Sequence, residues 1–103
     1  MAAARLRMIF TNEELRRIRI MDFGNGRLRI IADVHGMKCW EARCFINNII
    51  NVIRAGFQLV IIHGYNHRTA IKDMLARNFY NDHITERHPD PHNKGVTYLS
   101  IAA

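Results

Sequence analysis

The polar and apolar positions alternate with period two over Arg17-Ile18-Arg19-Ile20-Met21-Asp22, the spacing of a half-buried strand. Gly24-Asn25-Gly26 follows as a turn, and a second run, Arg27 to His35, continues beyond it. In that run Leu28, Ile30, Ala32 and Val34 share one face, and Arg29, Ile31, Asp33 and His35 share the other. The two runs predict a β-hairpin whose first member is an edge strand, its arginines discouraging edge-to-edge pairing. Residues 39–55 switch to helical spacing, with Trp40, Ala42, Ile46, Ile49, Ile50 and Ile53 inward, Glu41 in the first turn, Arg54 in the last and Gly56 as a stop. Phe57 to Ile62 is apolar apart from Gln58, as expected of a strand covered on both faces. A second helix is predicted over 68–80, with Ala70, Ile71, Met74, Leu75 and Phe79 inward. His83 to Arg87 reads as a short strand, 88–95 as a long mobile loop, and Val96 to Ile101 as a closing strand. Ahead of the hairpin, Arg5 to Phe10 reads as a short strand and Thr11-Asn12-Glu13-Glu14-Leu15 as a Thr-capped helical turn. The predicted order, ββαβα(β)β, makes this an α/β chain with a parallel strand pair at its centre.

With 103 residues the chain is one domain, long enough for a core without disulfides or a structural metal. No window approaches the roughly 18–20 apolar residues of a membrane span, and Met1-Ala2-Ala3-Ala4-Arg5-Leu6-Arg7 reads as no secretory leader. Cys39 and Cys44 fall on different faces of the predicted helix, suiting neither a disulfide nor a zinc pair; reduced thiols in the cytoplasm are the simplest reading. The spacing of His83, His88 and His92 matches no zinc signature. Charge changes the picture more. Fifteen Lys+Arg against nine Asp+Glu give +6, which favours polyanionic partners: nucleic acid, phosphorylated ligands or the ribosome. Arginine predominates, which suits bidentate phosphate contacts.

The candidate chemistry sits where the two central strands end. One closes on Asp33-Val34-His35-Gly36, the other on Ile61-Ile62-His63-Gly64. In a parallel pair both histidines lie at the carboxyl edge, where open α/β sheets place ligands. Histidine exchanges protons near neutral pH, and two of them with a carboxylate are suited to phosphodiester chemistry. The plainer alternatives are a turn-capping His35, a loop-bracing Asp33 and a structural, half-buried His63. Trp40 is read as core or as a base-stacking platform, with Tyr65 the other stacking candidate; Arg17, Arg19, Arg27 and Arg29 form a solvated strand face able to touch phosphates.

These residues resemble the Smr (small MutS-related) domain family. Its first signature is an Asp-x-His-Gly box, here Asp33-Val34-His35-Gly36; its second is a His-Gly box opening a turn into a helix, here His63-Gly64 followed by Tyr65-Asn66-His67-Arg68. A closing Gly-x-Thr strand is present as Gly95-Val96-Thr97. The resemblance covers 27–102 and implies a Smr-like domain over 27–103 after an N-terminal extension, 1–26, that ends in the edge strand. It implies a two-layer α/β sandwich, a mixed sheet with helices packed on it, similar to the C-terminal domain of bacterial translation initiation factor three. It further implies endonuclease activity, as RNA cleavage or nicking of structured or branched DNA, with Asp33, His35 and His63 catalytic. Gly36, Lys38, Gly64, Tyr65, Asn66, His67, Arg68 and Lys72 are the expected nucleic-acid contacts.

The chain departs from the family at Asn66 and Arg68, where glycines are usual. Asn66 tolerates left-handed geometry; Arg68 costs about 1 kcal/mol if positive φ is needed there, or supplies a phosphate-binding cation. On RNA, one histidine would deprotonate the 2′-hydroxyl and the other protonate the leaving 5′-oxygen, with Asp33 orienting and no cofactor required. Hydrolytic DNA nicking would call instead for a divalent metal on Asp33. A non-catalytic nucleic-acid- or ribosome-binding module, and an interaction domain whose basic character is incidental, are the competing readings.

Overall fold

The computed structural model describes residues 2–64 and 69–103. Two helices precede the sheet, α1 (Ala2–Ile9) and α2 (Asn12–Leu15). The first overturns the strand expected over Arg5 to Phe10. Ala2 to Ala4, Leu6, the arginines and Met8 are strong helix formers, and Leu6 and Phe10, four apart, fall on one face. Both are buried, and Phe10 packs edge-on against Phe45 with ring centroids 5.2 Å apart. The Thr11 turn forms as expected. Thr11 Oγ1 accepts from Glu14 N at 3.1 Å and Glu14 Oε1 accepts from Thr11 N at 2.9 Å, a reciprocal cap.

Strands β1 (Ile18–Gly24) and β2 (Arg27–Asp33) form the predicted hairpin. Asn25 (φ 54°) and Gly26 (φ 75°) supply the two left-handed residues that a tight turn between right-twisting strands requires. Next come α3 (Cys39–Val52), β3 (Phe57–Ile62), α4 (Ala70–Arg77), β4 (Ile84–Pro89) and β5 (Val96–Ile101). The five strands lie in the order β1-β2-β3-β5-β4, with β2 and β3 parallel and the other pairs antiparallel. This is the mixed sheet with a central βαβ unit that the sequence implies.

All strand residues of the core come from one face: Ile30 and Ala32 of β2, Phe57, Leu59 and Ile61 of β3, Leu99 and Ile101 of β5. They meet Ala42, Phe45, Ile46, Ile49 and Ile50 of α3, and Ile71, Met74 and Leu75 of α4. Trp40 is not among them and is 64% exposed. It precedes Ala42 by two residues, about 200° around the helix, and so faces away from the stripe. The core expectation for Trp40 is therefore corrected, and Phe45 takes the inward position. Helix α3 stops at Val52, leaving Arg54 beyond its last turn, and Ala70 at the start of α4 is exposed. Arg87 reaches across to the end of α4, where Nη1 donates to Leu75 O (2.7 Å) and Phe79 O (2.6 Å).

Helices cover one face of β3 only, not two. Gln58, Val60 and Ile62 point to the other face, which carries no helix among the described residues. Val60 is buried there by its neighbours within the sheet. The segment expected as a long mobile loop is also shorter than predicted, because His88 and Pro89 belong to β4. Asp90 ties the remainder: its Oδ1 accepts from His92 N (2.7 Å) and Asn93 N (2.9 Å), its Oδ2 from Tyr98 OH (2.8 Å).

Candidate active site

Strands β2 and β3 end side by side, with Asp33 opposite Ile62 and Val34 N donating to Ile62 O at 2.9 Å. The two His-Gly turns therefore converge. A Cβ added to Gly64 would stand 3.9 Å from His35 Cβ. Gly95 closes the third side, its carbonyl accepting from His63 N (2.8 Å) and Gly64 N (3.1 Å). The approach is tight: a Cβ on Gly95 would lie 3.1 Å from Gly64 Cα.

Asp33 holds His35 in two ways. Its Oδ1 accepts from His35 N at 3.1 Å and lies 2.5 Å from His35 Nδ1. A carboxylate only accepts, so Nδ1 carries the proton and Nε2 presents a lone pair. The His35 side chain is 67% exposed, and Nε2 has no hydrogen bond among the described residues. Gly36, at φ 82°, turns the chain away. Arg17 braces the whole turn, with Nη1 donating to Asp33 O (3.1 Å) and His35 O (3.2 Å).

His63 is placed differently. Its ring turns to the helix side of the sheet, the residue is only 7% exposed, and both nitrogens are engaged. Nδ1 donates to Gly64 O at 2.8 Å; Nε2 then accepts from Thr97 Oγ1 at 2.8 Å. Burial lowers its pKa from the ordinary 6.5; the Gly64 carbonyl opposes that and the charge of Lys72 adds to it. His63 is thus a neutral strut between the Gly64 turn and β5, with no nitrogen left for a substrate. The structure brings Asp33, His35 and Gly64 together, while the His63 ring is buried behind the Gly64 turn, against Gly64 O and Thr97 Oγ1.

This burial has a measurable consequence. With its folded pKa below 6.5, His63 leaves the unfolded chain to take up the proton first as pH falls. Its contribution to stability is complete above about pH 6.5 and is lost as pH drops towards the folded value. The melting temperature is expected to fall on acidification through this window, and to fall less in His63→Gln. Parallel pH profiles for the two proteins would remove His63 from that role.

The other expected contacts lie around this edge. Lys38 is exposed at the start of α3, its backbone N donating to Glu41 Oε1 at 3.1 Å. Lys72 is half-buried on α4. The N-termini of α3 and α4 meet, with Cys39 Sγ 3.8 Å from Ala70 O. Both cysteines are free. Tyr65, Asn66, His67 and Arg68 lie outside the described residues. Beside Gly36 opens a cavity of about 420 Å³ whose walls include Glu13, Glu14, Glu41, Arg17 and Trp40. Among the described residues no three His, Cys, Asp or Glu side chains gather as metal ligands. Asp33 Oδ1 is engaged by His35, which leaves Oδ2 as the oxygen on which the divalent ion expected for DNA nicking would rest.

The architecture is similar to the crystal structure of the Smr domain of Thermus thermophilus MutS2, with a TM-score of 0.56 at 21% identity over 71% of this chain and 98% of that one. The fold is that of an Smr domain. No protein-family model matches the chain, and no curated protein does. Within the Smr fold, three residues of the site lacked an assigned role in the sequence. Arg17 reads there as one more arginine of a solvated strand; its signal is register, since Asp33 N donates to Arg17 O at 2.8 Å. Thr97 and Gly95 stand in the Gly-x-Thr strand, but their partners are remote in sequence. Across the described residues no helix is long and apolar enough to cross a membrane.

Proposed function

We propose that this chain is a phosphodiester endonuclease of the Smr type, cleaving RNA by attack of the 2′-hydroxyl. The observation that carries the reading is the Asp33–His35 pair, hydrogen-bonded and exposed at the carboxyl edge of the parallel strands. His35 Nε2 takes the 2′-hydroxyl proton, and Asp33 stabilises the resulting imidazolium and fixes its tautomer. The 2′-oxygen forms a bond to phosphorus as the bond to the 5′-oxygen breaks, and water protonates the leaving oxygen. Lys38 and Lys72 offset phosphate charge, and the converging helix N-termini add to the same field. His63 and Thr97 act on the reaction only through the Gly64 turn, as positioning residues.

The reading is tested with end-labelled RNA, with and without chelator. Products are expected to end in a 2′,3′-cyclic phosphate, to form equally in EDTA, and to be absent from an all-deoxy strand. Cleavage of the deoxy strand at the same rate would exclude attack by the 2′-hydroxyl. A non-catalytic nucleic-acid- or ribosome-binding module is the second reading. The withdrawal of the His63 ring from solvent favours it, because of the two histidines expected to share the chemistry His35 is exposed and His63 is not. Intact RNA after prolonged incubation, together with retained binding, would establish that reading.

A further inference from the structure

The face of the sheet opposite the helices reads as ordered rows. In register across β1, β2, β3, β5 and β4 stand Arg19, Ile31, Val60, Tyr98 and His88. The next row is Met21, Arg29, Gln58, Ser100 and Glu86. Asp33 and Ile62 sit one row the other way, at the carboxyl edge. Successive rows lie about 6.6 Å apart, two residues at ~3.3 Å each. The centre is apolar, and its borders are aromatic and basic. His88 and Tyr98 stack with centroids 5.4 Å apart. Phe23 is 50% exposed, with the Arg29 guanidinium 5.4 Å from its ring centroid. Arg27 joins Arg29 along β2, and a hollow of about 370 Å³ opens between Phe23, Arg27, Arg29, Gln58 and Ser100.

Two routes lead away from His35. One passes Gly36 towards Trp40, through the cavity where Glu13, Glu14 and Glu41 outnumber Arg17, a net negative wall that disfavours a phosphate chain. The other crosses the open face, where Arg19, Arg27 and Arg29 outnumber Glu86 and Asp90 and lie with the exposed rings of Phe23 and His88 and the half-buried Tyr98. Arginines among exposed rings on a sheet are what unpaired bases and their phosphates require. A duplex, whose bases are stacked on each other, makes no use of such rings.

We propose that this open face is the track for a single-stranded nucleic-acid segment. Its bases rest on Phe23, Tyr98 and His88 and its phosphates on Arg19, Arg27 and Arg29, which leads the chain to the Asp33–His35 edge. The proposal rests on the nuclease reading for its direction, and it names the substrate of that site as unpaired.

The test measures fluorescence anisotropy of a 2′-O-methylated RNA strand, which 2′-hydroxyl attack cannot cleave, and of its blunt duplex. The wild-type chain is expected to hold the strand more tightly than the duplex. Phe23→Ala is expected to weaken strand binding about tenfold, the loss of one base–aromatic stack. Arg19→Gln is expected to lower the slope of log affinity against log salt by about 0.7. Trp40→Ala, on the acidic side, is expected to bind as the wild type does. The track is overturned if the Phe23 and Arg19 variants bind the strand unchanged, if the duplex binds as well as the strand, or if Trp40→Ala shows the larger loss. It is also overturned if sedimentation shows two copies of the chain meeting on this face. The two readings separate cleanly. Loss of cleavage in His35→Ala with face variants that bind unchanged keeps the site and removes the track. Weakened strand binding in the face variants, with undiminished cleavage by His35→Ala, keeps the track and removes the site.

Discussion

Replacing His35 by alanine will lower RNA cleavage by about 10²–10⁴-fold, the usual contribution of a positioned general base. That corresponds to roughly 3–5 kcal/mol of lost transition-state stabilisation. The side chain is two-thirds exposed and its recorded hydrogen-bond partner is Asp33, so folding should be unaffected. The unfolding free energy should stay within the ~0.5 kcal/mol typical of surface substitutions. Asp33→Asn separates the two jobs of the carboxylate. An asparagine oxygen can still accept from His35 N and keep the turn, yet it carries no charge to support an imidazolium. It should reduce turnover without unfolding the chain. His63→Gln should show the reverse balance: altered stability and its pH profile, with activity affected only as far as the Gly64 turn moves. Single-turnover rates on one RNA substrate, measured beside melting curves, distinguish these patterns. Cleavage by His35→Ala at the wild-type rate would end the proposal that this histidine moves the proton.

Local rules account for much of the fold. The alternation of Leu28, Ile30, Ala32 and Val34 predicts which face of β2 is covered, and those residues are the ones buried or half-buried against the helices. Asn25-Gly26 predicts the hairpin because so few residue pairs accept two positive φ angles. The limits of β3 are legible for a similar reason, since glycines bracket one apolar run. What escapes reading is set by contacts distant in sequence. An apolar run cannot say whether one face or two is covered, so Phe57 to Ile62 alone does not reveal the open side. Arg5 to Phe10 is too short for period to decide between helix and strand, and the burial of Leu6 with the packing of Phe10 on Phe45 resolves it. At the site, the pairing of Asp33 with His35 follows from a spacing of two on one face. The inward turn of His63 does not, because Thr97 must first be brought beside it by the β3–β5 register.

Leu6→Ala will destabilise the chain by about 2–5 kcal/mol, the range for truncating a fully buried leucine. Leu6 is 1% exposed and belongs to the same core as Ile46 and Leu59. Alanine is the better helix former, so α1 itself loses nothing and the whole cost lies in packing. For a domain of this size the loss corresponds to roughly 4–8 °C in melting temperature per kcal/mol. Against a total stability of about 5–15 kcal/mol the change is large. The expectation follows from where α1 lies: residues expected to form an extension bury Leu6 and Phe10 in the same core as α3. They also lead, through the capped turn at Thr11, to Arg17, which grips the carbonyls of Asp33 and His35. Loosening α1 should therefore reach the site as well as the core, so cleavage by Leu6→Ala should fall before the chain melts. Urea titration with an unchanged slope and a lower midpoint would match this account. A midpoint equal to that of the wild type would mean that α1 is detached in solution and that the Arg17 brace holds without it.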